Sequence, residues 1–247
     1  MQEKDFEALL QACFAQNGLE SYCRDPLVVS RFFRFATQLI ETNRVMNLTA
    51  LREMEDVVPL HFADCALCFS HIPANCSVLD VGCGGGFPSV PLAILRPDVT
   101  VTALDSTAKK TAFVARVAQD LGLTNLQTYA GRAEEWASVE ATDGKRAYFD
   151  VVVSRAVARL PILSELCLPF VKKSGLFIAM KGAEADMELS EATRAISTLG
   201  GASPVLHTYT LHTGRQTEQR GIIVVQKQKD TSPAYPRPYA KIKKAPL

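Results

Sequence analysis

A chain of 247 residues, 47% hydrophobic and 21% charged, is long enough to enclose a sizeable core, and that balance excludes a disordered or fibrous polymer. The net charge is only +1, so no bulk field marks the chain for a polyanion. No apolar run approaches the roughly 18 residues of a membrane span, and the first ten residues, with Glu3, Lys4, Asp5 and Glu7, lack the basic-then-apolar order of a secretory leader, which predicts a soluble cytoplasmic protein.

Residues 1–75 read as a helical extension. Phe6, Leu9, Leu10, Cys13 and Phe14 recur at helical spacing, as do Val28, Val29, Phe32, Phe33, Phe35, Ala36, Leu39 and Ile40; residues 54–69 continue at threes and fours. Residues 43–49 form a polar break between the last two. From Ser77 the pattern changes to short β-branched runs at 78–81, 99–104, 126–129, 149–153, 176–180, 205–211 and 222–225, so seven strands are expected. The first five alternate with helical segments at 88–95, 108–121, 134–136, 160–169 and 184–199. This implies right-handed crossovers and a mostly parallel sheet, an α/β domain over 76–228. Residues 212–220 are polar and too few for a crossover helix, so the last two strands should be antiparallel. Residues 229–247 are a third region. From Lys227 onward the chain carries six basic residues against Asp230 alone, and prolines at 233, 236, 238 and 246 predict an extended basic arm rather than a helix.

The run Val78-Leu-Asp-Val-Gly-Cys-Gly-Gly-Gly-Phe-Pro takes a strand into Gly82, Gly84, Gly85 and Gly86, with a helix behind. Glycines there let the backbone turn sharply and approach a ligand at a helix amino terminus. No Gly-Lys-Ser/Thr follows, which disfavours a nucleoside triphosphate, and Phe87 stands where a dinucleotide fingerprint has its third glycine. Asp80 precedes the loop, and Asp105 closes the second strand, where a carboxylate can accept hydrogen bonds from ribose hydroxyls. That pairing serves dinucleotide and S-adenosylmethionine sites alike. Two further loops lie beyond strand ends: Gly131-Arg-Ala-Glu-Glu, where Ala133 offers an amide and Glu134 an acceptor to an adenine, and Ser154-Arg155-Ala156 beside the reactive end. The latter lacks the Asp/Asn-Pro-Pro-aromatic stretch common in enzymes that methylate exocyclic amines. Seven cysteines are an odd number in apolar surroundings, which predicts buried free thiols rather than disulfides. His61, Cys65, Cys68 and His71 have metal-ligand residue types, but on one helix positions 61 and 71 lie about 15 Å apart, too far for one ion, so no metal is expected.

Asn47-Leu-Thr-Ala, His61-Phe-Ala-Asp64, the 80–94 stretch with Gly86-Phe-Pro, Gly131-Arg-Ala-Glu-Glu, Val153-Ser-Arg-Ala-Val and Lys181-Gly occur in an order that resembles the bacterial 16S ribosomal RNA guanine-N7 methyltransferases, the glucose-inhibited division protein B family. The resemblance spans nearly the whole chain and departs from the family pattern at Thr42, Ser89 and Pro238. It implies a Rossmann-like class I methyltransferase with S-adenosylmethionine as cofactor, and methylation of N7 of a guanine in the 530 loop of 16S rRNA. It also implies that Gly82, Phe87, Ala133, Glu134 and Arg155 contact the cofactor, beside Gly84, Gly86 and Asp105 from the loop argument. Arg155 is the candidate for orienting the guanine or the cofactor carboxylate, and Asn47 and His61 for closing over the pocket. The expected partner is 16S rRNA or the small ribosomal subunit, with no membrane and a monomeric enzyme. Methylation of another RNA, a protein or a small molecule, and a non-catalytic nucleic-acid-binding module, are the competing readings.

Overall fold

The computed structural model describes residues 1–247. Two helices open the chain, α1 (Glu3–Gln16) and α2 (Pro26–Asn43). Pro26 takes the first position of α2, where its missing N–H costs nothing, and the Asp25 carboxylate accepts from the Leu27 amide at 2.9 Å. Residues 54–66, predicted as continuous helix, are α3 (Met54–Val57), a π-helical turn (Val58–Ala63) and α4 (Asp64–Ala66). Pro59 sits at the start of the π turn, where it removes a backbone donor from the helical ladder.

An aromatic column joins these helices. Phe14 packs against Phe32, Phe32 against Phe62 with centroids 4.6 Å apart, Phe62 against Phe35, and Phe35 against Phe87 at 5.3 Å. Phe14, Phe32, Phe35 and Phe62 are wholly buried, and each contributes roughly 1.5 to 3 kcal/mol relative to an exposed ring. The amino-terminal helices thus share a core with the glycine loop that holds Phe87.

The seven expected strands form one sheet: β1 (Ser77–Val81), β2 (Thr100–Asp105), β3 (Leu126–Ala130), β4 (Phe149–Arg155), β5 (Val171–Lys181), β6 (Val205–His212) and β7 (Thr217–Gln226), in the order β3-β2-β1-β4-β5-β7-β6. β1 to β5 run parallel, and β7 is antiparallel to both β5 and β6. Alternate residues serve opposite faces. Val78, Val151 and Val153 join the core under α1, α2, α5 (Ser89–Leu95) and α6 (Ala108–Leu121). Leu79, Val152 and Phe177 join the core under α7 (Ala133–Trp136), α8 (Leu160–Cys167), α9 (Ala185–Thr198) and α10 (Tyr239–Lys244). Burial on both faces explains the continuous Val runs.

Two expectations fail here. The polar link after β6 is mostly strand, with β7 starting at Thr217; it pairs at the sheet edge, so its outward residues carry no hydrophobic signal. The carboxyl-terminal arm is not extended: it ends in helix α10. Prolines 233, 236 and 238 all precede that helix, Pro238 at its N-cap, and Pro246 follows it, so none interrupts it. The arm is also tied to the body. Arg237 gives its backbone N–H and its guanidinium to Glu165, which is wholly buried, and Ile242 is wholly buried as well.

Candidate active site

A cavity of ≈ 530 Å³ opens outside the carboxyl ends of the parallel strands, where the chain leaves β1 and β4 in opposite directions. Its floor is the glycine loop. The amides of Gly82 and Cys83 both donate to the Leu104 carbonyl, at 2.8 and 2.9 Å, which folds the loop over the end of β2. Gly82 has φ +79°, and a Cβ there would lie 2.3 Å from a Val157 methyl, so both conformation and space demand glycine. Gly84 donates its amide to Asp105 Oδ2 at 3.0 Å, while Thr107 donates to Oδ1 at 2.8 Å. Each oxygen keeps a second acceptor position, as many as a ribose diol would fill. Gly82, Gly84, Phe87, Asp105, Ala133, Glu134 and Arg155 all line the cavity. Gly86 does not: at φ +96° it turns toward the core, and a Cβ there would lie 2.7 Å from a Val90 methyl. Gly85 lines the cavity in its stead.

Beneath the loop, Asp80 is wholly buried. Its Oδ2 accepts from the Ser89 amide at 3.1 Å and from the Ser89 hydroxyl, and Oδ1 has no partner. Burial pushes this carboxyl up to about 7, against the opposing pull of the Ser89 bonds. At the adenine side, Ala133 opens α7, so the first amides of that turn have no intrahelical acceptor. Glu134 is buried and accepts from Arg132 Nε at 2.5 Å, and the Arg132 guanidinium lies 5.1 Å over the Tyr239 ring.

The opposite end is organised by Arg155. It donates to the Leu60 carbonyl at 3.0 Å, to Asp64 Oδ2 at 2.8 Å and to His61 Nδ1 at 2.8 Å, and it lies 5.2 Å over the Phe87 ring. Asp64 accepts from Arg220 through its other oxygen at 2.7 Å, so one buried carboxylate holds two guanidinium groups. His61 packs on Phe87 with centroids 4.1 Å apart, and its Nε2 lies 2.7 Å from Thr49 Oγ1. Burial, aided by the Arg155 charge, pulls its imidazole down to about 3, so it is neutral at physiological pH.

Asn47 is not brought into this group. It is exposed on the loop beside Asn43, Thr49 and Arg52. The loop is instead held by Asn43, whose amide donates to the carbonyls of Thr49 and Leu51 while its oxygen accepts from the amides of Leu48 and Thr49. The sequence marks none of Asn43, Thr49, Asp64, Arg220 or Tyr239 as a site residue. Thr49 and Asp64 stand inside two of the family-like motifs and Asn43 opens the polar break, whereas Arg220 and Tyr239 carry no local sign of a place in the site. The four residues with metal-ligand chemistry diverge. His71 bonds the Tyr209 hydroxyl at 2.8 Å, and Cys65 and Cys68 are buried with thiols raised by desolvation. No cluster of three or more His, Cys, Asp or Glu side chains could hold a metal ion.

Sheet order, glycine loop and carboxylate at the end of β2 define a Rossmann-like, S-adenosylmethionine-dependent methyltransferase, and the residues suit that cofactor: free acceptors on Asp105, the glycine loop beneath it, and apolar Leu104 and Leu166 in the wall. The likeness to solved structures agrees on the fold: the YcgJ protein of Bacillus subtilis has a TM-score of 0.54 at 15% identity over 68% of this chain and 100% of its own, and a precorrin-6y C5,15-methyltransferase from Geobacter metallireducens GS-15 has 0.50 at 15% identity over 75% and 92%. Residues 29–218 match the family GidB, rRNA small subunit methyltransferase G. A ribosomal RNA small subunit methyltransferase G of Oceanobacillus iheyensis is 40% identical over 219 residues, 88% of this chain and 90% of that protein. The chain belongs to this family.

Proposed function

We propose that the enzyme transfers the methyl group of S-adenosylmethionine to N7 of a guanine in the 530 loop of 16S rRNA. One observation carries this reading: the reactive end of the cavity holds no free base and no activated nucleophile, the Asp64 carboxylate there being taken up by Arg155 and Arg220. His61 is a poor proton acceptor, held down to about 3 by burial and the Arg155 charge with its Nδ1 turned to that guanidinium, and all seven cysteines are buried, each with its thiol raised by desolvation first of all. Guanine N7 suits such a site, because it presents a free lone pair on the major-groove edge and attack needs no prior deprotonation. The cofactor, when bound, supplies an electrophilic sulfonium methyl. The protein's part is alignment and water exclusion. In this reading Asp105 holds the ribose, Ala133 and Glu134 meet the adenine, Gly82, Gly84 and Phe87 frame the middle of the cofactor, and Gly86 supports the loop from behind. Arg155, kept in place by Asp64 and the Leu60 carbonyl, orients the guanine or the methionine carboxylate. His61 walls the reactive end, and exposed Asn47 meets RNA at the entrance. The enzyme acts as a monomer in the cytoplasm, on rRNA or the small subunit, without metal or membrane.

The test is methyl transfer from labelled cofactor to small-subunit rRNA that lacks the modification, with the modified nucleotide mapped. Label at guanine N7 in the 530 loop is the expected result. Label on an exocyclic amine, or on protein alone, overturns the proposal.

A further inference from the structure

We propose that the Thr49 hydroxyl donates a hydrogen bond to O6 of the target guanine and so selects guanine over adenine. The inference deepens the guanine-N7 reading and rests on it. His61 Nδ1 lies 2.8 Å from Arg155 Nη2 and 3.0 Å from the Leu60 carbonyl; Arg155 carries donors only, and its Nη1 already donates to that carbonyl, so we assign Nδ1 as the acceptor of the Arg155 bond. A neutral imidazole with an accepting Nδ1 has its proton on Nε2. That proton points at Thr49 Oγ1, 2.7 Å away, which makes Thr49 an acceptor in this bond. Thr49 Oγ1 also accepts from the Leu51 amide at 3.1 Å. Both lone pairs of the hydroxyl are then used, and what it has left is its proton.

That proton has no acceptor within the protein, and Thr49 lines the cavity beside His61, Phe87 and Arg155. Asn43 fixes the backbone of Thr49 through both amide and carbonyl, so the hydroxyl is a positioned donor. On the major-groove edge of guanine the acceptor next to N7 is O6; adenine places an N6 amine there, itself a donor. A donor locked by Asp64, Arg155 and His61 cannot turn round to accept. Guanine gains a hydrogen bond, whereas adenine meets donor against donor, and a site built to bond one group discriminates strongly against its absence.

The experiment uses full-length enzyme and small subunits reconstituted with 16S rRNA carrying either guanosine or 2-aminopurine riboside, which lacks O6, at the target position. Thr49→Val should lower kcat/KM for the guanosine substrate by roughly 10- to 100-fold, as expected for a lost buried hydrogen bond. S-adenosylmethionine affinity should stay within about 3-fold, and Thr49→Ser should restore most of the activity. Wild-type enzyme should be slow on the 2-aminopurine substrate, and Thr49→Val should add little further loss there. A Val penalty of equal size on both substrates, or none on guanosine, overturns the O6 assignment. Wild-type label at a position other than guanine N7 overturns the parent reading, and this inference with it; that outcome is read from wild-type enzyme alone, so the two failures are distinguishable. Melting curves of the Val variant show whether the loop survives, and rescue by Ser separates the hydroxyl from the methyl.

Discussion

Asp105 has two tasks at once, since the oxygens that face the cavity also hold the loop amide of Gly84 and the turn amide of Thr107. Asp105→Ala should therefore weaken S-adenosylmethionine binding by about 1 to 3 kcal/mol, through lost charged hydrogen bonds and a loosened loop; calorimetry that finds unchanged affinity would remove the ribose role. Asp80 behaves differently because it is buried without a cation. Its carboxyl, raised from its usual value near 3.8 to about 7, binds a proton more tightly in the folded chain than in the unfolded one. Its contribution to stability is then most favourable at low pH and declines as pH rises through the window from about 4 to about 7. Asp80→Asn keeps an acceptor for Ser89 and removes the charge. Without cofactor, the variant should match the parent near pH 4 and exceed it at pH 8 by roughly 2 to 4 kcal/mol. Denaturant melts at both pH values check this, and a constant difference would mean that Asp80 does not titrate in that range.

At the scale of elements, the sheet was legible because burial on both faces leaves continuous β-branched runs, and the glycine loop because its backbone admits few other residues. The helical break at Val58–Ala63 was not: its apolar residues keep helical spacing, and the π turn registers only in backbone bonding around Pro59. Arg155 and His61 could be picked out singly, but Asp64 and Arg220 are joined across the fold, 156 residues apart, and no local pattern reports that. Helix α10 was hidden by proline content, and with it the fact that Tyr239 lines the cavity. The arm therefore reaches the cofactor region, although it follows the last strand and supplies no strand-end loop. Tyr239→Ala removes an aromatic wall and the partner of Arg132, and should weaken cofactor binding by roughly 1 to 2 kcal/mol. Tyr239→Phe, which keeps the ring, should bind as the parent does; a Phe variant as weak as Ala would put the effect in the hydroxyl.

Over the whole molecule, charges that look alike in sequence divide by what they touch. Among the six basic residues from 227 onward, Lys227 is buried on the carbonyls of Leu168 and Leu199, and Arg237 is consumed by Glu165. Arg31 and Arg34, on the amino-terminal helices, donate to the carbonyls that end α6. The cations left to solvent include Lys229, Lys241, Lys243 and Lys244 on the arm, and Arg44 and Arg52 beside the exposed Asn47 loop. If the lysines of α10 contact phosphates, changing Lys241, Lys243 and Lys244 to Ala should weaken binding to RNA of any sequence. The slope of log affinity against log salt should become shallower by about 2, at close to 0.7 per contact on single strands. Cofactor affinity should hold, since these three side chains are exposed and none of them lines the cavity. Arg237→Ala is the counterpart. Its guanidinium is paired inside the protein, so its loss should lower the melting temperature and leave the salt slope near that of the parent. A triple variant with the parent's slope would move the phosphate contacts to Arg44 and Arg52, and a change of slope in Arg237→Ala without loss of stability would mean that the Glu165 pair opens to bind RNA.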